Sequence, residues 1–261
     1  MSMTGVKTKV DRESPASAID WLAAPAALTI SEGEVHVWRV DISKHAGSGV
    51  DAVLSQSERE RAARFHFGRD LLRFRMAHFS LRTILGSYVT LPPAALLFGQ
   101  TQFGKPFLVN PEADGLLFNM SHAGDFAVIA VAREREVGID VELMRGSFAS
   151  SEVAEQFFSV AEIYTLSGLH PDVRMRAFFN CWTRKEAYVK ARGEGLSMPL
   201  DVFDVSLAPG SPAALLQNRN DARETSRWTF QDIDVAANYV AALAIETRPS
   251  PPQVSRFAYS I

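Results

Sequence analysis

Cysteine occurs once, as Cys181, so no internal disulfide can staple this chain and a reducing compartment is the expected setting. An excess of charge of one sign is missing too. The 27 Lys and Arg stand against 30 Asp and Glu, for a formal net charge of -3, which excludes a generally basic nucleic-acid binder and confines any anion-attracting surface to local patches. Long apolar runs are scarce. The stretch most like a targeting core, WLAAPAALTI (Trp21 to Ile30), follows Lys7, Lys9 and Arg12, yet Asp11, Glu13 and Asp20 intervene and Pro25 interrupts it. It is too short to span a bilayer. The expectation is a cytoplasmic protein with no nucleic-acid or membrane partner, in which residues 1–20 form a flexible lead-in.

Core material, by contrast, is plentiful: 47% of the 261 residues are hydrophobic, enough for one large domain or two joined halves. Alternation in VHVWRVDI (Val35 to Ile42) predicts a first strand. LSQSERERAARF then offers Ser55 or Ser57 as a helix cap, with Glu58 completing a capping box from Ser55. A long helical pattern runs through RDLLRFRMAHFSLRTILGSYV and ends near TLPP. KPFLV, LLFNMSH and FAVIAVA are short apolar runs bounded by Gly, Pro and Asn and predict strands; RPSPPQ near the C-terminus predicts extended surface chain.

The chain then begins again. At an offset of 104 residues Val35 maps onto Ile139, Ser55 and Glu58 onto Ser159 and Glu162, and Arg82 onto Glu186, which predicts an internal duplication. Its content lies in the mismatches. Where the second copy has Asp140, Glu142 and Glu186, the first has His36, Trp38 and Arg82.

In GIDVE, Asp140 and Glu142 are two apart on a predicted strand, so both carboxylates share a face. If the helix of Glu186 crosses that face, a third oxygen ligand joins them, and such a set suits Mg²⁺ with room left for water and phosphate. Taken alone, the Asp-x-Glu pair has a simpler reading, the polar face of an edge strand. On the helix FFNCWTRKEAYVKARGEGL, Trp182, Glu186 and Lys190 lie four apart on one side. Trp182 is expected to pack in the core. Lys190 is either a cation beside a phosphate site or half of an ordinary surface pair, while Lys185 falls on another face and reaches a partner or solvent. Gly193 and Gly195 supply a tight exit turn.

Taken in order, GKP (Gly104 to Pro106), FNMSH (Phe118 to His122), GIDVE (Gly138 to Glu142) and WTRKEAYVKARGEGLSMPL (Trp182 to Leu200) resemble the 4'-phosphopantetheinyl transferases of the surfactin-synthetase-activating type. The resemblance runs from about Val35 to Ala244. It implies an α+β fold, a pseudo-dimer of two similar halves, each a small antiparallel sheet packed with a long helix, with the active site at their interface. Residues 21–136 would be the N-terminal half, binding coenzyme A phosphates, and 137–261 the C-terminal half, with the metal-binding acids and catalytic helix. The implied reaction is Mg²⁺-dependent transfer of 4'-phosphopantetheine from coenzyme A to a serine of an apo carrier protein of fatty-acid, polyketide or peptide synthesis, releasing adenosine 3',5'-bisphosphate.

The same resemblance implies metal ligation by Asp140, Glu142 and Glu186, catalytic roles for Glu186 and Lys190, and coenzyme A contacts from Lys190, Lys105, Ser121 and His122. Arg61 and Arg73 fall where the family places further basic contacts, in a stretch from Leu54 to Thr83 with seven arginines (59, 61, 64, 69, 73, 75, 82) against Glu58, Glu60 and Asp70. Glu58 itself occupies a position that is usually basic. A monomer is expected. Two other classes fit the same residues: another Mg²⁺-dependent phosphoryl-transfer enzyme that ignores carriers, and a non-catalytic protein that binds coenzyme A or a carrier.

Overall fold

A computed structural model describes residues 21–25, 27–43, 49–248 and 251–259. The expected lead-in at 1–20 and the Pro249–Ser250 part of RPSPPQ lie outside the described residues. Three strands build the main sheet of the first half: β1 (Glu34–Asp41), then, after helices α1 (Gln56–Ala62) and α2 (Gly68–Val89), β2 (Leu116–Ala123) and β3 (Phe126–Arg133). Three more build the main sheet of the second: β4 (Val137–Leu143), then, after α3 (Ser151–Phe157), α4 (Val160–Gly168) and α5 (Pro171–Arg192), β5 (Trp228–Asp232) and β6 (Tyr239–Glu246). In the first half the antiparallel order is β1-β3-β2, and in the second it is β4-β6-β5. The strand order is the same, with the last strand of each triplet in the middle. The chain is therefore a pseudo-dimer of two α+β halves.

The last strand, β7 (Gln253–Tyr259), does not stay with the second half. It pairs in parallel with β1, and the two-residue strand Leu22–Ala23 pairs in parallel with β7, so the first sheet grows to five strands. Phe257 from β7 joins Trp38, Met76 and Ile129 in the core beneath α2. A second core lies under α5, around Phe178, Phe179, Tyr188 and Phe230. A third joins the halves: Val35, Val37, Val128 and Ala130 from one sheet meet Ile139, Val141, Leu243 and Ile245 from the other. The odd-numbered side chains of β1 and β4 thus bind the sheets together, and the even-numbered ones, His36, Trp38, Asp140 and Glu142 among them, face the other way.

Each half repeats one device. Ser55 and Ser159 cap α1 and α4 with complete capping boxes, and the box glutamates each accept a buried cation from the long helix: Arg82 Nε donates to Glu58 at 2.7 Å and Lys185 Nζ to Glu162 at 2.8 Å. This corrects two expectations. The counterpart of Arg82 is Lys185, not Glu186, because both long helices have 22 residues but start 103 apart, one residue having been lost from the connection that precedes α5. And Lys185, far from reaching a partner or solvent, is fully buried, with the carbonyls of Leu200 and Phe203 taking its remaining donors.

Gly138 sets how closely β4 approaches α5. A Cβ there would lie 2.1 Å from the Ala187 carbonyl oxygen and 2.3 Å from the Ala191 nitrogen, so only glycine lets the strand lie against the helix backbone. The consequence is local. Asp140 and Glu142 follow Gly138 on the helix-facing side and come opposite the Glu186 to Lys190 turn.

Candidate active site

The site forms where an edge strand of each half meets the long helix of the second. β2 and β4 are joined not by a backbone ladder but by Asn119, whose Oδ1 accepts from the Ile139 amide at 2.9 Å. Two residues on, Ser121 stands beside Asp140. The Ser121 hydroxyl donates to Asp140 Oδ1 at 2.8 Å, Lys190 Nζ donates to the same oxygen at 2.6 Å, and Lys190 also donates to Ser121 Oγ at 3.0 Å. Asp140 is 3% exposed. Its other oxygen, Oδ2, is buried and has no hydrogen-bond partner. A buried carboxylate oxygen left this way carries a desolvation cost that a ligand must relieve.

Two further acids flank it. Burial first, then Asp140 and Glu186, push the Glu142 carboxyl up to about 7, against the pull of Lys190 and a hydrogen bond from the Trp182 side chain. Burial and Asp140 likewise raise Glu186, with Lys190 opposing. Carboxylates this crowded favour a proton or a cation between them. Among the described residues no three Asp, Glu, His or Cys side chains close into a ligand set by themselves. Mg²⁺ does not need one: it is commonly held by one or two carboxylates, with water and substrate phosphate completing its shell. The hard oxygen donors, the orphaned Oδ2 and the mutual repulsion fit such an ion.

Trp182 packs against the second core, as expected, but at its edge. It is half-buried and lines a cleft of about 740 Å³ together with Met120, Phe157, Glu186, Val189 and Lys190. Phe148 and Phe157 meet its ring edge-on, with centroids 5.0 and 5.5 Å away, and its indole side chain pulls the Glu142 carboxyl downward against burial. Periodicity placed it correctly on the face of Glu186 and Lys190 but could not tell a core from a cleft wall. Gly193 and Gly195 close α5 at positive φ (68° and 55°), as the exit turn requires.

The basic residues divide. His122 is exposed, yet local loss of hydration and the nearby His78, Lys190, Arg73 and Arg61 hold its pKa below the ordinary imidazole value. An anion bound there would meet the positive field of Lys190, Arg73 and Arg61. Arg61 is exposed and lies over the Phe74 ring at 5.4 Å, whereas Arg73 is mostly buried and shared between Asp70 and Asp125. Lys105 lines the cleft, but its ammonium donates to Glu136 at 2.6 Å and to the Ala191 carbonyl at 2.8 Å, tying the end of α5 to the first half. The arginine-rich stretch is less free than its sequence suggests: Arg82 is buried on Glu58, and Arg75 pairs with Asp51 at 2.6 Å. Glu58 belongs to that internal network through Arg82 and His78.

Comparison with known proteins matches residues 40–134 to a family model described as 4'-phosphopantetheinyl transferase, N-terminal, and residues 136–244 to one described as 4'-phosphopantetheinyl transferase superfamily. The chain is 36% identical over 228 residues to "4'-phosphopantetheinyl transferase HetI" of a Nostoc species, covering 86% of this chain and 93% of that protein. It is 32% identical over 154 residues to "4'-phosphopantetheinyl transferase Sfp" of Bacillus subtilis, covering 59% of this chain and 66% of that one. A third relative, "L-aminoadipate-semialdehyde dehydrogenase-phosphopantetheinyl transferase" of Pongo abelii, is 26% identical over 208 residues, 74% of this chain and 67% of its own.

Proposed function

This chain belongs to the 4'-phosphopantetheinyl transferase superfamily, and from that premise we propose that it moves the 4'-phosphopantetheine group of coenzyme A onto a serine hydroxyl of an apo acyl or peptidyl carrier protein. Adenosine 3',5'-bisphosphate leaves. The observation that carries the reading is Asp140, a buried carboxylate with one oxygen saturated by Ser121 and Lys190 and the other left without a partner between two acids whose carboxyls resist ionisation.

In this reading Asp140, Glu142 and Glu186 hold Mg²⁺, which when bound neutralises the charge that develops as the P–O bond breaks. His122, Arg61 and Arg73 draw in the phosphates of coenzyme A. Met120, Phe157, Trp182 and Val189 give the pantetheine arm an apolar wall and keep water from the reacting phosphorus. Lys190 stabilises phosphate oxygens beside Asp140. Glu186, directly or through a bound water, takes the proton of the carrier serine as its oxygen bonds to the β-phosphorus. The bond from that phosphorus to the bridging oxygen breaks, and the nucleotide departs with the electron pair.

Among the described residues no helix is long and apolar enough to cross a membrane. Because both halves of the cleft come from one chain, the protein is proposed to act as a monomer in the cytoplasm. Asp140→Ala tests the site: the variant is expected to lose transfer by roughly a hundredfold or more, the scale of removing one preorganised charged group, with its circular dichroism and melting temperature near the parent's. Unchanged transfer by that variant would remove Asp140 from the machinery.

A further inference from the structure

Arg73 is held less firmly than Arg82 or Arg184. Arg184 Nη2 donates to both oxygens of Asp232, at 2.8 and 2.9 Å, and Arg82 donates to Glu58 at 2.7 Å and to the carbonyls of Pro93 and Leu96. Arg73 meets one oxygen from each of two acids, Asp125 at 3.1 Å and Asp70 at 3.5 Å, and its Nε is buried with no hydrogen-bond partner. A guanidinium carries five N–H donors in a planar fork, which the paired oxygens of a phosphate match at about 2.7–2.9 Å. Two long, single contacts leave most of that fork unused.

Asp125 lies in the turn between β2 and β3, three residues beyond His122. Its backbone is fixed on both sides: the amide donates to the Tyr239 hydroxyl at 3.0 Å, and the carbonyl accepts from the Ile42 amide at 2.9 Å. Gly124 lets that hydroxyl approach, since at its φ of 56° a Cβ would lie 2.2 Å from it. The side chain keeps its freedom. It is 58% exposed, against 16% for Arg73. One carboxylate thus crosses from the turn that follows His122 to α2, and lands on an arginine whose charge acts on His122 together with those of Lys190 and Arg61.

We propose that Asp125 sets the affinity of the coenzyme A site: its carboxylate competes with a phosphate of coenzyme A for Arg73, and gives the arginine up by turning into solvent. The inference rests on the transferase reading, since that reading supplies the coenzyme A. The exchange favours phosphate, because an exposed ion pair contributes little while a bidentate, charge-assisted contact is shorter and stronger. Asp125 acts on the ligand through Arg73. Its own field, at an exposed position, is screened by salt.

Coenzyme A affinity of the full chain, measured by calorimetry in EDTA at physiological salt, tests this for the parent, Asp125→Asn, Arg73→Gln and the double variant. Asp125→Asn should bind coenzyme A about threefold to fivefold more tightly, the scale of releasing one exposed ion pair, with a melting temperature within about 4 °C of the parent's. Asp125→Ser, which also removes the charge, should show the same gain. Losing a merely structural contact would weaken binding instead. With Arg73→Gln already present, Asp125→Asn should change the affinity by less than about twofold, because the group through which it acts is gone. An Asp125→Asn variant that binds coenzyme A no more tightly than the parent, or a gain that persists in full without Arg73, overturns the proposal while leaving the transferase reading intact. A parent that binds no coenzyme A overturns that reading, and the proposal with it.

Discussion

At the scale of single residues, Trp182 shows how much depends on one polar atom. Its rings pack on Phe148 and Phe157, which phenylalanine could partly reproduce, while the polar indole N–H that lowers the Glu142 carboxyl could not be replaced. Trp182→Phe is therefore expected to cost no more than about 2 kcal/mol of stability, as a large-to-small change at a half-buried site does, and to raise the Mg²⁺ concentration needed for half-maximal transfer by about tenfold. A magnesium titration of the variant checks this, and an unchanged midpoint would assign Trp182 to packing alone. The sequence brought Trp182, Glu186 and Lys190 to one face, because residues four apart on a helix overlie one another. It could not place Lys185. Only the tertiary fold shows that the glutamate of a capping box 23 residues earlier waits for that ammonium.

Among the elements, the repeated unit of capped short helix and long helix has a titratable centre. Glu58 is buried, which opposes ionisation, but His78, the Ser55 amide and Arg82 all donate to it and outweigh burial, lowering its pKa from 4.5 to about 2. A carboxyl held low in the folded state binds fewer protons there than in the unfolded chain. Its contribution is thus complete above about pH 4.5 and lost as pH falls through about 2. The shift corresponds to on the order of 3 kcal/mol. Urea unfolding should show Glu58→Gln less stable than the parent by up to that amount at pH 6, with the gap closing as pH falls toward 2. A gap that does not change with pH would deny the network its electrostatic character. Both capping boxes were legible as Ser-x-x-Glu, and so were the strands around GIDVE and FNMSH. The one-residue slip before α5 was not, since a helical pattern looks the same wherever its first turn starts. It moved the counterpart of Arg82 from Glu186 to Lys185.

For the whole molecule, function rests on contacts that join distant stretches of chain. Ser121 comes from one half and Asp140, Glu142, Glu186 and Lys190 from the other, so neither half alone holds both hydrogen bonds on Asp140. The recurrence of one strand order in both halves was foreshadowed by the 104-residue offset. The return of β7 to the first sheet was not, because its parallel pairing with β1 spans more than two hundred residues and leaves no local signature. The central claim, that this pseudo-dimer loads carriers from coenzyme A, is met most directly by intact-mass spectrometry of several apo carrier proteins incubated with the protein, coenzyme A and Mg²⁺, beside an EDTA control. A carrier is expected to gain the mass of one phosphopantetheine, and EDTA to abolish the gain. No added mass on any carrier, from a folded protein that binds coenzyme A, would contradict it.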